Sequence, residues 1–64
     1  MTKIHDRRLL SITELSIQLG VKHKTVYGWV NQRKLPFIKM GRLVRFDPVD
    51  IDEWVRTRKV EVFQ

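Results

Sequence analysis

The sequence of 64 residues contains no cysteine, which excludes disulfides and thiolate metal sites as supports for the fold. No apolar run approaches the roughly 20 residues that span a bilayer, and the first residues lead into no secretory signal with a cleavage site. A chain this short buries only about 60% of the surface that its unfolded form exposes, which leaves no room for a substrate pocket on a scaffold. These absences predict one small domain, soluble and cytoplasmic, with no membrane partner, cofactor or small-molecule ligand.

Acidic residues are missing from the middle of the chain, between Leu15 and Phe46. The whole chain carries a net charge of +6, and a long basic segment attracts polyanions. Charge alone leaves open a nucleic-acid surface, a surface for acidic lipid and a merely solvated basic surface. The cations of this segment are Lys22, Lys24, Arg33, Lys34, Lys39, Arg42 and Arg45.

A first helix is predicted from Ser11, because Ser11 and Glu14 have the spacing of a capping box. Gly20 is expected to end this helix in the left-handed conformation, after about eight residues. The apolar face of the helix is formed by Ile12, Leu15 and Leu19.

A second helix is predicted from about Lys22 or His23 to Asn31 or Gln32, with Val26, Trp29 and Val30 on its apolar side. Only three or four residues separate it from the first helix. Two short helices joined by a tight turn that contains glycine indicate a helix-turn-helix. The alternative is an ordinary helical hairpin in a bundle.

Alternation of polar and apolar residues between Phe37 and Phe46 predicts a β-hairpin, with Gly41 and Arg42 in a type II′ turn. Pro36 separates it from the preceding helix. The hairpin should rest one face on the helices, since an isolated hairpin is marginal in water. We expect Ile38, Met40, Val44 and Phe46 on the apolar face, and Phe37, Lys39, Leu43 and Arg45 on the other.

A third helix is predicted after Asp47, which has the chemistry of an N-cap and is followed by Pro48. Its buried stripe should consist of Ile51, Trp54 and Val55. Asp50, Asp52 and Glu53 lie in its first turns, where the helix dipole favours acids. The acids therefore have a structural explanation, and we expect no catalytic pair and no enzyme. Trp29 and Trp54 are expected in the core or at its margin.

The ordered set of these features resembles the excisionase-type helix-turn-helix family, relatives of the DNA-binding domain of MerR-like regulators. The resemblance covers about residues 9 to 55. It implies a winged helix-turn-helix that binds DNA. We divide the chain into a basic arm at 1–8, the domain at 9–58 and a tail at 59–64. The motifs are Leu9-Leu10-Ser11-Ile12-Thr13-Glu14, Leu19-Gly20-Val21, Thr25-Val26-Tyr27, Leu35-Pro36, Gly41-Arg42 and Asp50-Ile51-Asp52-Glu53-Trp54.

The sequence departs from the family pattern at three positions. Lys22 stands where a Ser or Thr cap is frequent, Gly28 where a long basic side chain is frequent, and Leu43 where a basic wing residue is common. A glycine inside a helix costs about 1 kcal/mol relative to alanine. Gly28 therefore either permits close backbone approach or marks a missing DNA contact.

The candidate DNA-binding residues lie on the second helix, on the hairpin and around them. Lys24 and Thr25 are expected to contact bases or adjacent phosphates. Tyr27 would contact a phosphate or a thymine methyl, or would simply pack against the wing. The recognition-helix set is His23, Lys24, Thr25, Tyr27 and Gly28; the wing set is Lys39, Gly41, Arg42 and Arg45; the candidates for backbone contacts are Arg7, Arg8, Lys22, Arg33 and Lys34. With two histidines and no cysteine, we expect no metal site.

The predicted function is sequence-specific binding of double-stranded DNA, near the nucleoid. Two roles stay open: an excisionase that directs recombination beside an integrase or another recombinase, and a small transcriptional regulator. The chain lacks the long dimerising helix and effector site of full-length MerR-like proteins, so we expect a monomer that meets neighbouring copies on DNA. The alternative is a basic adaptor that docks an acidic protein, with Phe37 and Leu43 as exposed apolar points.

Overall fold

The computed structural model describes residues 8–60. Within that range a helix pair precedes a β-hairpin and a further helix, which confirms the predicted order of elements. The helices are α1 (Ile12–Leu19), α2 (His23–Asn31) and α3 (Pro48–Thr57), and the strands are β1 (Ile38–Met40) and β2 (Leu43–Arg45). Of the predicted arm only Arg8 is described, and the tail is described as far as Val60.

The α1 helix has satisfied polar groups at both ends. The Glu14 backbone N–H donates to Ser11 Oγ at 3.1 Å, and the Ser11 N–H donates to Glu14 Oε1 at 2.9 Å, so the predicted capping box is confirmed. Gly20 adopts the predicted left-handed conformation, with φ of 70°. The N–H groups of Gly20 and Val21 donate to Ile17 and Ser16 carbonyls, which forms a Schellman motif.

The α2 helix begins after Lys22, whose side chain makes no capping hydrogen bond. It ends in a second Schellman motif, because the N–H groups of Arg33 and Lys34 donate to the carbonyls of Val30 and Trp29. Arg33 occupies the left-handed position at φ of 55°, where glycine is usual. The turn between α1 and α2 spans residues 20–22, as the sequence predicts.

The hairpin has the predicted turn, but the predicted faces were wrong. Met40 pairs with Leu43 and Lys39 with Val44, so Gly41 and Arg42 form a two-residue loop. Directly paired residues of an antiparallel sheet project to the same side. Met40 therefore lies beside Leu43 and not beside Val44. The side that faces the core carries Phe37, Val44 and Phe46, and Lys39 lies on the same side but is exposed. The other side carries Ile38, Met40, Leu43 and Arg45.

Burial agrees with this corrected register. Phe46 is fully buried, and Phe37 and Val44 pack against the core. Met40 is 45% exposed and Leu43 is 52% exposed. The predicted faces were wrong because they assumed that every second residue keeps the same side through the turn. Across the two-residue loop, an even-numbered residue of β1 pairs with an odd-numbered residue of β2, so the alternation shifts by one residue.

A β-bridge that the sequence analysis did not predict attaches the hairpin to the start of α1. The Leu10 N–H donates to the Phe46 carbonyl at 2.8 Å, and the Phe46 N–H donates to the Leu10 carbonyl at 2.9 Å. Phe46 lies directly before the N-cap of α3. The bridge therefore fixes the base of the hairpin relative to both α1 and α3.

The α3 helix is capped as predicted, since Asp47 Oδ1 accepts from the Val49 N–H at 2.9 Å and Pro48 occupies the first turn. Ile51 is buried. Val55 is 43% exposed, so its predicted place in the buried stripe was wrong. Ile51 and Trp54 lie three positions apart and face the core, and Val55 falls on the edge of that face.

The core combines buried side chains from the three helices, from the segment before the hairpin and from the segment after it. Its fully or nearly fully buried members are Leu15, Val26, Leu35, Phe46 and Ile51. Trp29 and Trp54 meet at its margin, as predicted, with ring centroids 5.4 Å apart. Trp54 Nε1–H also donates to the Lys34 carbonyl at 2.7 Å. Through these contacts α3 supports the back of α2 and leaves the opposite face of α2 open.

Candidate nucleic-acid interface

The open face of α2 has Lys24, Gly28 and Asn31 along its middle. Val26, Trp29 and Val30 pack on the core side of the helix. At 100° per residue, Lys24, Gly28 and Asn31 lie on the opposite side. Lys24 and Asn31 are exposed, and Gly28 is partly exposed.

The first turn of α2 contains no acidic residue. Its leading N–H groups and the cations Lys22 and Lys24 therefore produce a positive end without internal neutralisation. His23 is exposed beside them, whereas Thr25 is half-buried on the flank of the helix toward Trp29. This end of α2 suits a phosphate group.

Tyr27 lies on the side of α2 that is next to the hairpin. It is 54% exposed, and it borders one groove with Lys39 and Val44 and a second groove with Arg42 and Leu43. The side chain is therefore at the wing, as the packing interpretation expects, and still presents its outer part to solvent. The arrangement brings α2 and the wing together around one aromatic residue.

The tip of the hairpin presents cations. Lys39, Gly41 and Arg42 are exposed. Gly41 has φ of 62°, and Arg42 does not have a positive φ, which fits a type II′ turn and excludes type I′. Arg42 consequently projects from the end of the wing, free to reach a ligand that contacts α2.

Arg45 is less available than the sequence suggested. It is half-buried, and Nη1 donates to the Val44 carbonyl at 2.8 Å. The backbone N–H of Ser11 is the main cause that lowers the pKa of Glu14, and the charges of Arg8 and Arg45 lower that pKa further. Arg45 is therefore engaged by a carbonyl of its own strand and is less accessible to a ligand than Arg42.

The candidates for backbone contacts surround α2. Lys22, Arg33 and Lys34 are exposed at its two ends, and Arg33 borders the groove with Tyr27 and Asn31. Arg8 is exposed ahead of α1. Arg7 lies outside the described residues.

Asn31 is a candidate that the sequence analysis missed. It is exposed, three positions after Gly28 and seven after Lys24, so all three share one face. Asparagine can make two hydrogen bonds to an adenine edge in the major groove. Its helical spacing from Lys24 is the signal that identifies it, although it lies at the opposite end of α2 from the residues that enter a groove first.

Two properties of residues 8–60 complete the description. They contain no cluster of histidine and acidic side chains that could hold a metal ion. No helix in this range combines the length and the apolar composition that crossing a bilayer requires.

A three-residue turn between α1 and α2, a wing beside α2 and a supporting third helix define a winged helix-turn-helix. A family model described as "Helix-turn-helix domain" matches residues 9–59. The chain therefore belongs to the excisionase-type helix-turn-helix family, and it is a DNA-binding domain of that family. No curated protein and no solved structure matches it.

Proposed function

We propose that this protein binds double-stranded DNA sequence-specifically, with α2 in the major groove and the β1–β2 wing over the adjoining minor groove. One observation carries the proposal. The exposed face of α2 and the tip of the wing are both basic, they meet around Tyr27, and α3 contacts α2 from the other side.

In this arrangement the two basic regions have different roles. Lys24 and Asn31, on the open face of α2, contact base edges, and Thr25, on the flank of the helix, contacts a base or an adjacent phosphate. Lys22, Arg33 and Lys34 hold phosphates and set the position of the helix without reading sequence. His23 and Lys39 border this surface and add to its positive potential.

The experiment measures affinity for a duplex selected from a random-sequence pool, across a range of salt. A handful of phosphate contacts predicts a slope of log K against log salt of about −4 to −7. Lys24→Ala should weaken specific binding by about 1 to 3 kcal/mol and alter the preferred base if it contacts a base. If Lys24 contacts a phosphate instead, all sequences weaken and the slope changes by about one unit.

The control is Lys59→Ala, which removes one exposed charge beyond α3 and should change affinity little. A protein that binds no duplex even at low salt contradicts the proposal. Equal effects of Lys24→Ala and Lys59→Ala would also contradict it, because only net charge would then matter.

Arg42 tests the position of the wing. A narrow A·T-rich minor groove concentrates negative potential and favours arginine. Arg42→Ala should therefore weaken binding most where the flank is A·T-rich, with thermal stability unchanged. An equal loss on all flanks would indicate a phosphate contact, and no loss would mean that the wing does not touch DNA.

Two cellular roles fit such a protein, which would work on DNA in the cytoplasm. As an excisionase it would act beside an integrase or another recombinase, and as a regulator it would bind an operator, in either case with neighbouring copies on the same DNA. An integrase gene next to this one favours the first role. If excision in vitro proceeds equally well without the protein, the excisionase role is excluded.

A protein-interaction adaptor is the weaker interpretation. Phe37, one of its two expected contact points, packs against the core, and only Leu43 is exposed. Binding to an acidic protein without any binding to duplex DNA would nevertheless favour it.

A further inference from the structure

The corrected register of the hairpin produces an apolar pair at the tip of the wing. Met40 and Leu43 are direct cross-strand partners on either side of the Gly41-Arg42 loop, on the face away from the core. They are 45% and 52% exposed. Two large apolar side chains held together in solvent lose the benefit of burial, so the pair suits a partner that covers it.

The surroundings of the pair indicate which partner that is. Arg42 is exposed within the loop between the two residues. Leu43 borders the same groove as Tyr27 and Arg42, and no acidic residue occurs between Leu15 and Phe46. An apolar pair beside cations and next to the recognition helix is complementary to DNA, whose phosphates surround apolar sugar and base surfaces.

We infer that Met40 and Leu43 form a wedge that enters the minor groove and kinks the duplex, an inference that rests on the proposed DNA binding. Leucine and methionine are among the side chains that minor-groove proteins insert between base steps, with bends of about 20° to 90° toward the major groove. Arg42 lies between Met40 and Leu43 in the loop and supplies positive charge at the site of insertion. Burial of the two side chains offsets the loss of base stacking.

The wedge gives the wing a sequence preference without hydrogen bonds to bases. Pyrimidine–purine steps such as TA and CA unstack most easily. The protein should therefore favour a TA or CA step at the position of the wing, separately from the bases that α2 contacts in the major groove.

The test uses the full chain and a duplex selected by it from a random-sequence pool. Fluorophores at the two ends report bending through energy transfer, and 2-aminopurine substituted at successive positions reports unstacking. The unsubstituted protein should shorten the end-to-end distance and raise 2-aminopurine fluorescence at one step under the wing.

Two variants separate the wedge from ordinary contact. Met40→Ser with Leu43→Ser should abolish both signals and weaken affinity about tenfold, with the salt slope unchanged, because no phosphate contact is lost. Leu43→Lys should keep affinity through a new phosphate contact and still lose most of the bend. Val55→Ser removes an exposed apolar residue of α3 and should change neither signal.

The outcomes distinguish this inference from the proposed function. If the protein binds no duplex, the proposed function itself fails. If it binds a straight duplex, or if the double variant bends DNA as well as the unsubstituted protein, only the wedge is wrong. A double variant that keeps full affinity but loses self-association would show that the pair contacts a second copy instead, which also overturns the wedge.

Discussion

The two helices of the helix-turn-helix have nearly equal lengths, 8 residues in α1 and 9 in α2, and differ in how their ends are stabilised. The α1 helix begins with a complete capping box, whereas the N-cap residue of α2, Lys22, makes no side-chain capping hydrogen bond. A missing cap of this kind typically costs about 1 kcal/mol. The α2 helix also has a glycine, Gly28, in its interior.

The difference continues at the carboxyl ends. Both helices finish in a Schellman motif with a left-handed residue, but this residue is Gly20 in α1 and Arg33 in α2. A side chain at positive φ is strained, and glycine at the same place is not. At three positions α2 therefore has a residue that stabilises a helix less than the usual choice. These positions are Lys22, Gly28 and Arg33.

The three positions share a location. Lys22 and Arg33 are exposed at the ends of α2, and Gly28 lies on its open face. An added Cβ at Gly28 would meet no atom of this chain within 4 Å, so the fold does not require glycine there. Local choices that reduce stability without benefit to the fold are typical of functional surfaces. The comparison thus supports α2 as the binding helix and α1 as its support.

The largest expected effect breaks α1 itself. Leu15→Ala removes a fully buried side chain and should lower the free energy of unfolding by about 2 to 5 kcal/mol. Denaturant unfolding measures this loss. Ile17→Ala, on the same helix at 75% exposure, is the matched control and should change stability by less than about 0.5 kcal/mol. Equal effects would show that α1 is not packed as described.

The next effect reverses the difference between the helix ends. Arg33→Gly should raise the free energy of unfolding by up to about 1 kcal/mol, because it removes strain at positive φ. It should also weaken DNA binding and change the salt slope by about one unit, since the proposed phosphate contact of Arg33 is lost. Thermal melts and binding titrations check the two parts separately.

The reciprocal variant is Gly20→Arg. It places an arginine at φ of 70° in α1 and should cost about 1 kcal/mol, although an added Cβ would have open space. It should give no gain in sequence-specific affinity. If Arg33→Gly leaves DNA binding unchanged, Arg33 is strained for a reason other than phosphate binding.

A smaller gain in stability is expected at the middle of α2. Gly28→Ala should stabilise the protein by about 0.5 to 1 kcal/mol, because helical alanine is favoured and the site has room. If the backbone of Gly28 approaches DNA closely, the added methyl group should weaken binding by about 1 kcal/mol or more. Opposite changes in melting temperature and affinity would confirm close approach. Unchanged affinity would favour the alternative, a missing DNA contact.

The sequence predicted the elements whose signals are local. Ser11 with Glu14, Gly20 and Asp47 with Pro48 each satisfy backbone groups within one turn, so their effects do not depend on the rest of the fold. The two-residue loop at Gly41 was predicted for the same reason.

What the sequence did not predict depends on contacts between distant segments. The bridge between Leu10 and Phe46 joins residues 36 positions apart and leaves no local pattern. The exposure of Met40 and the burial of Phe37 follow from which hairpin face meets the helices, and both faces carry apolar residues. Asn31 can be assigned to the open face of α2 only when the buried side of the helix, which contains Val26, is known.

The smallest effect concerns the cap that distinguishes α1 from α2. The backbone N–H of Ser11 is the main cause that lowers the pKa of Glu14 in the folded protein. A lowered pKa means that ionised Glu14 stabilises the fold above its unfolded pKa, and that this contribution is lost as pH falls through the folded pKa. The contribution should therefore be complete at neutral pH and decline in acid, from about pH 4.3 downward.

Glu14→Gln isolates this contribution, because glutamine can occupy the same place in a capping box but does not titrate. Chemical unfolding of both proteins at a series of pH values gives the difference in their free energies of unfolding, in which the other titrating groups cancel. We expect the unsubstituted protein to lose its advantage over the variant as pH falls below about 4.3, and to keep it unchanged between neutral pH and about pH 6. High salt should leave most of the difference, because a backbone hydrogen bond dominates it and the charges of Arg8 and Arg45 contribute less. A difference that is independent of pH would mean that the Glu14 carboxylate does not stabilise the start of α1, and that this start depends on the Ser11 side chain alone.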